Sequence, residues 1–222
     1  MGELLIIMFS LVVTNVLGQM APSVFARLKK ISIYLITFLT VLVQLSWSNL
    51  AYANPEDAVV AAGQVNIETQ QNGMLQVTQT SSNAIVNWST FNIAAHEHTH
   101  FQQPDGGVIL NRVNANNGVS QILGQLSATG TVVLVNQAGA LFGPHAQVNV
   151  TGIITATADI SDQNFMQGKY IFDQAGLPSA SIVNKGTIIA KNYGLVALIG
   201  YNIRNDGLIQ GKLKIDLQNL LI

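Results

Sequence analysis

A chain of 222 residues, 49% apolar and 9% charged, with a formal net charge of −1 and no cysteine, is long enough to bury one sizeable core. So little charge excludes an ordinary helical bundle, whose exposed faces need Glu and Lys. The ten Lys and Arg form no basic patch interleaved with aromatics, which argues against nucleic acid as a partner.

The first element is an address. Arg27, Lys29 and Lys30 precede the apolar run from Ile31 to Leu45, and Ala51, Tyr52 and Ala53 follow it. A basic region, an apolar core and an A-x-A site make a secretory signal peptide, with cleavage after Ala53. The run is shorter than the roughly 20 residues of a spanning helix, so no stable membrane span is expected after cleavage. A second apolar run, Leu4 to Leu17, has no basic residue before it. Met20 opens a conventional signal, so residues 1–19 read as an upstream start or an extended leader. The division is a signal segment, 1–53, and one exported domain, 54–222. The lack of cysteine suits a chain that crosses an oxidising periplasm unfolded.

The exported part opens with alternating polar and apolar residues from Val59 to Val77, punctuated by Gln71-Asn72-Gly73 and Ser81-Ser82-Asn83. This is the pattern of short strands and turns. Asn87, Trp88, Phe91 and Asn92 follow, large aromatics beside turn-forming asparagines, suited to wedging one end of a β core. In His96-Glu97-His98-Thr99-His100 the three imidazoles share one face if the segment is a strand. Residues i and i+2 lie about 7 Å apart, so the outer two are too distant to meet on one ion. An exposed polar face is the expectation, and no metal site or cofactor is assigned. After Asp105-Gly106-Gly107 the chain turns into Val108–Leu110, then Asn111 and Arg112. Arg112 is the sole Lys or Arg between Lys30 and Lys169, and in an apolar neighbourhood it is expected to clamp carbonyls or a carboxylate.

Val132–Val135 and Ala146–Val150 are apolar β runs joined by Asn136, Gln137, Ala138 and Gly139 and then Gly143-Pro144. Asn and Gly tolerate positive φ, so Asn136 and Gly139 are each expected to hold a bend. Thr151–Ala158 gives another rung. Asp159 to Pro178 leaves the pattern, and the alternation of Tyr170 and Phe172 suggests a hairpin whose aromatics cover apolar surface. Last comes a repeat: Ile182–Ala190 aligns with Ile203–Gly211 through Asn-x-Gly-x-Ile at an offset of 21 residues. That period suits one coil of a parallel β-helix, with like residues stacked into ladders about 4.8 Å apart. The exported residues would then make roughly seven or eight coils.

Taken in order, NWSTFNI, FQQP, LNRV, the Ser120–Leu126 run, NQAGALFG, AQVNVTG and DISDQNFMQGKYIF resemble the amino-terminal secretion domain of filamentous haemagglutinin-like exoproteins, the substrates of two-partner secretion. The resemblance implies an all-β fold: a right-handed, single-stranded parallel β-helix with an amino-terminal cap and extra-helical β-hairpins. It implies recognition by an outer-membrane barrel transporter with periplasmic modules, and release from, or display on, a Gram-negative cell. It marks Asn87, Trp88, Phe91, Asn92, Asn111, Arg112, Asn136, Gly139, Phe142 and Gly143 as recognition or fold-motif residues. The family's Asn-Pro-Asn-Gly turn falls on Asn136, Gln137, Ala138 and Gly139, where the Pro and the second Asn are replaced.

Two other classes compete. A β-helix enzyme needs clustered carboxylates with Lys or Arg nearby, and here the acidic residues after the signal are scattered apart from Glu56-Asp57. A module binding a host-cell glycan or receptor needs no readable motif. The closing GKLKIDLQNLLI loses the repeat, so the chain reads as a truncated member of its class.

Overall fold

The computed structural model describes residues 54–70, 73–191 and 194–211. The signal segment, Gln71-Asn72 of the first turn and the closing sequence lie outside the described residues, and the structure described is that of the unit from Tyr52 onward.

Among the described residues, seventeen short strands coil into three sheets. The first sheet orders β1 (Val59–Ala62), β4 (Asn83–Trp88), β6 (Val108–Val113), β9 (Thr131–Asn136), β12 (Gly152–Ala156) and β15 (Val196–Ile199). The second contains β7 (Ser120–Ile122), β10 (Gly139–Phe142), β13 (Ser181–Asn184) and β16 (Asn202–Asn205). The third runs β2 (Val65–Thr69), β3 (Met74–Gln79), β5 (His98–Gln102), β8 (Gln125–Ala128), β11 (Gln147–Val150), β14 (Thr187–Ala190) and β17 (Leu208–Gly211). Pairing is parallel except at the amino-terminal end, where β1 runs antiparallel to β4 and β2 to β3. This is a parallel β-helix with an antiparallel cap. The β2–β3 hairpin completes the cap where Gln70, Gly73 and Met74 close the turn through Gly73 N to Gln70 O, 3.2 Å, and Gln70 N to Met74 O, 2.8 Å.

The repeat behaves as its spacing requires. Ser181–Asn184 pairs with Asn202–Asn205, and Thr187–Ala190 with Leu208–Gly211, both at the offset of 21. The Asn184 amide donates to Asn205 Oδ1 across the coils at 2.8 Å, an asparagine ladder of the kind that stacking favours. The coil count is lower than the length suggested. Six strands of the third sheet run parallel, so the described residues form six coils, not seven or eight. The difference has two causes: Asn54–Thr69 is spent on the cap, and 159–180 leave the helix without building a coil.

That excursion is not a hairpin. It contains the short helix α1 (Asp162–Met166), followed by irregular backbone tied to the coil by one antiparallel bridge, Asp159 to Gln174. Ser161 caps the helix by accepting from Asn164 N at 3.2 Å, and Gly168 leaves it at φ +70°. These are ordinary start and stop signals. The aromatics do cover apolar surface: buried Phe165 and partly buried Phe172 lie on Ile85, Leu110, Val133 and Ile154, with Tyr170 edge-on to Phe165.

Two cores result. The interior holds Trp88, Phe91, Phe101, Ile109, Leu126, Phe142 and Val148 among others, and the second lies between the first sheet and the excursion. Strands buried on both faces read as continuous apolar runs. That explains VVLV in β9 and GIITA in β12, against the alternation of β11 and β13. One interior group is out of place. The Thr155 hydroxyl is buried with no hydrogen-bond partner. Thr155→Val keeps the shape and removes the orphan, so it is expected to raise stability by about 1 kcal/mol, read as a higher urea midpoint with an unchanged slope.

Candidate functional site

Two of the motif residues, Asn87 and Arg112, meet on one side of the first sheet. Val59, Asn87, Arg112 and Val135 stand in one row across β1, β4, β6 and β9. Above the row is a cleft of about 550 Å³ bounded by Asp57 of the cap, Asn114 and Asn116 beyond β6, Gln137 and Asp159. Asp57 lies at φ +53°, the one non-glycine positive φ among the described residues.

Arg112 forms the floor. Its Nε donates to Asp159 Oδ1 at 2.9 Å, its Nη2 meets Asp162 Oδ1 at 2.8 Å and donates to Ile160 O at 2.7 Å, and its Nη1 donates to Asn87 Oδ1 at 3.3 Å. Burial alone would lower its pKa, but Asp159 and then Asp162 outweigh that and raise it. The isolated cation is a clamp, and it holds the start of the excursion against the coil.

The turn at 136–139 holds the far end. Asn136 does not take positive φ; Gly139 does, at +115°. Asn136 closes β9 and is 1% exposed, and it bends the chain through its side chain instead. Its amide donates to Gly118 O at 3.0 Å and Ser120 Oγ at 2.9 Å, while its Oδ1 accepts from Ala138 N at 2.8 Å. Such Asx turns need the carboxamide but not a left-handed backbone. Gln137, where the family pattern has proline, also has work to do: its side-chain amide donates to Ala175 O at 3.0 Å, beside the bond its backbone carbonyl accepts from Leu177 N at 3.0 Å. The substitution therefore ties the turn to the excursion. Asn136→Ala leaves a buried donor and acceptor without partners and is expected to cost about 2–3 kcal/mol, while Asn136→Asp keeps the Ala138 bond but sets a buried carboxylate against the Gly118 carbonyl oxygen and should cost at least as much. Urea unfolding of both variants checks the order.

The remaining motif residues, apart from the half-buried Asn92, are built into the core. Trp88 Nε1 donates to Asn111 Oδ1 at 2.9 Å, and the Asn111 amide reaches Val133 O at 3.4 Å. Trp88 meets Phe91 edge-on at 5.9 Å, and Phe91 stacks with Phe101 at 6.4 Å. Asn92 Oδ1 accepts from Gln121 N at 2.8 Å. Phe142 is fully buried, and Gly143 N donates to Ile122 O at 2.8 Å at a coil corner. Of the ten, Asn87, Trp88 and Arg112 line the cleft; Phe91, Asn92, Asn111, Asn136, Gly139, Phe142 and Gly143 do not. A buried polar hub was missed in the sequence. Gln103, 5% exposed, donates to Gln79 Oε1, Gly107 O and Thr131 O at 3.1–3.2 Å and accepts from Gly130 N at 3.2 Å. Its only signal was the FQQP block itself.

The HEHTH segment lies elsewhere, on the third sheet. His96 is in a turn before β5, and His98 and His100 are outward on the strand. Among the described residues no three His, Cys, Asp or Glu side chains gather, and no helix is long and apolar enough to cross a membrane.

The charges at the floor of the cleft, Arg112, Asp159 and Asp162, are paired with one another. Residues 51–219 match the family model for the TPS secretion domain. A heme/hemopexin-binding protein of Haemophilus influenzae is 30% identical over 186 residues, covering 78% of this chain and 20% of that protein. A second from the same species is 30% identical over 144 residues, covering 63% and 15%. The crystal structure of the HMW1 secretion domain from Haemophilus influenzae superposes with a TM-score of 0.65 at 30% identity, covering 71% of this chain and 42% of that one. The chain thus spans about a fifth or less of the length of these curated relatives. A capped parallel β-helix and a family match over three quarters of the sequence lead to one conclusion: this chain belongs to the TPS, or two-partner secretion, domain family.

Proposed function

We propose that this domain is the export signal of an adhesin-like exoprotein: it is delivered to the periplasm by the leader ending at Ala53, recognised there by a two-partner barrel transporter, and folded into its β-helix on the far side of the outer membrane. The family match carries this reading. It begins at residue 51, beside the expected cleavage site, and Asn54 is fixed from the start of the fold, donating to Gly73 O at 2.8 Å and accepting from Thr99 Oγ1 at 3.1 Å.

The transporter sees the chain before it folds. Extended, β-prone segments of low charge can add as strands to a periplasmic module. Each coil stacks mainly on its neighbour, so folding can begin at the emerging end and propagate. On this reading most of the ten motif residues serve the folded state, and only exposed positions near the cleft are open to contact. The chemistry is recognition without catalysis. Immobilised chain starting at Asn54 should retain the periplasmic modules of its transporter when presented unfolded in dilute urea, and retain them less once folded. Equal retention of an unrelated unfolded β-rich chain would defeat the proposal.

A further inference from the structure

The HEHTH segment has no part in the export reading, yet its geometry is specific. β5 is an interior strand, paired with β3 on one side and β8 on the other. His98 and His100 share its outer face. His98 Nε2 lies 2.7 Å and His100 Nδ1 2.6 Å from the same atom, Ser127 Oγ on β8. The two ring centroids are 5.9 Å apart. A hydroxyl has one proton, so with both rings neutral one nitrogen accepts it and the other ring donates an N–H to the oxygen. Two imidazoles are thus held converging on a single point by a paired strand.

We propose that His98, His100 and the Ser127 hydroxyl form a chelating site for a late first-row divalent transition ion, Cu²⁺ before Zn²⁺. Imidazole nitrogen binds such ions at about 2.0–2.1 Å, and Cu²⁺ heads the affinity order for nitrogen and oxygen donors. Both nitrogens now point at Ser127 Oγ itself, so an ion enters between them as the hydroxyl swings aside to become its third donor, and the two rings need little further ordering. The adjacent outward positions on β3 and β8 are Met74, Gln76 and Gln125, none of them charged. No cationic side chain on the flanking strands opposes an ion there, and no carboxylate on them competes for the imidazoles. Water or an external donor completes the coordination. His96, in the preceding turn, is outside this set.

The test is a Cu²⁺ titration of the tag-free chain from Asn54, followed by calorimetry and electron paramagnetic resonance. One equivalent with nitrogen hyperfine structure is expected. His98→Asn and His100→Asn should each weaken binding at least about tenfold, with His145→Asn unchanged. Binding that survives both strand variants, or that His96→Asn abolishes, overturns the site. Should a variant fold poorly, the wild-type imidazole resonances decide. Substoichiometric Cu²⁺ should broaden His98 and His100 first, and earlier broadening of His96 or His145 is the contrary result.

Discussion

Gly139→Val is expected to abolish the stable fold. Two costs coincide at this position. A β-branched residue at φ +115° is strained by about 1–3 kcal/mol. A Cβ there would also stand 2.5 Å from the carbonyl oxygen of Ser181 on the next coil. The opposing atom is backbone, and it belongs to the strand paired with β10, so it can move only if β10 and β13 separate. The two terms together exceed about 4 kcal/mol, a large share of the 5–15 kcal/mol that holds a domain. Urea unfolding should show a lost or greatly lowered transition, with Gly139→Ala between the variant and wild type. Exported Gly139→Val chain should be degraded by added protease under conditions that leave wild type intact.

Arg112→Ala should cost about 3 kcal/mol and free the excursion while the coils persist. The Asp159 side chain is 15% exposed and loses its cation, and removing one member of a mostly buried pair is strongly destabilising. Asp162, with its side chain 55% exposed, is screened by solvent and adds little. The Ile160 carbonyl loses its donor as well. Hydrogen exchange should therefore accelerate first over 159–178, before the paired strands of the third sheet. Uniform acceleration over all coils would show that the clamp serves the whole fold instead. Arg112→Lys keeps the charge but cannot reproduce four directed contacts, and should recover less than half of the loss.

How much of this was legible depends on which force shaped each residue. The Asn-x-Gly-x-Ile repeat could be read because stacking imposes the same demand on every coil, and Asn184 over Asn205 is that demand met. The clamp at Arg112 was legible because a lone cation in apolar surroundings has few options. Its partners were not, since Asp159 and Asp162 lie 47 and 50 residues on and are brought near only by the excursion. The helix at 162–166 was hidden by the aromatics after it, although Ser161 and Gly168 bracket it as cap and stop. Asn136 was rightly singled out for the wrong reason. Its type suggested a left-handed backbone, whereas its carboxamide does the bending. Gln103 could not have been picked out, because a buried hub and an exposed loop glutamine look alike in one sequence.

The most direct test of the export reading is the amount of chain beginning at Asn54 in the medium of cells with and without the cognate barrel transporter. Transporter-dependent release is expected, with Asn136→Ala reduced and Thr155→Val at or above wild type. Equal amounts in the medium with and without the transporter, or retention in the periplasm in both, would contradict it.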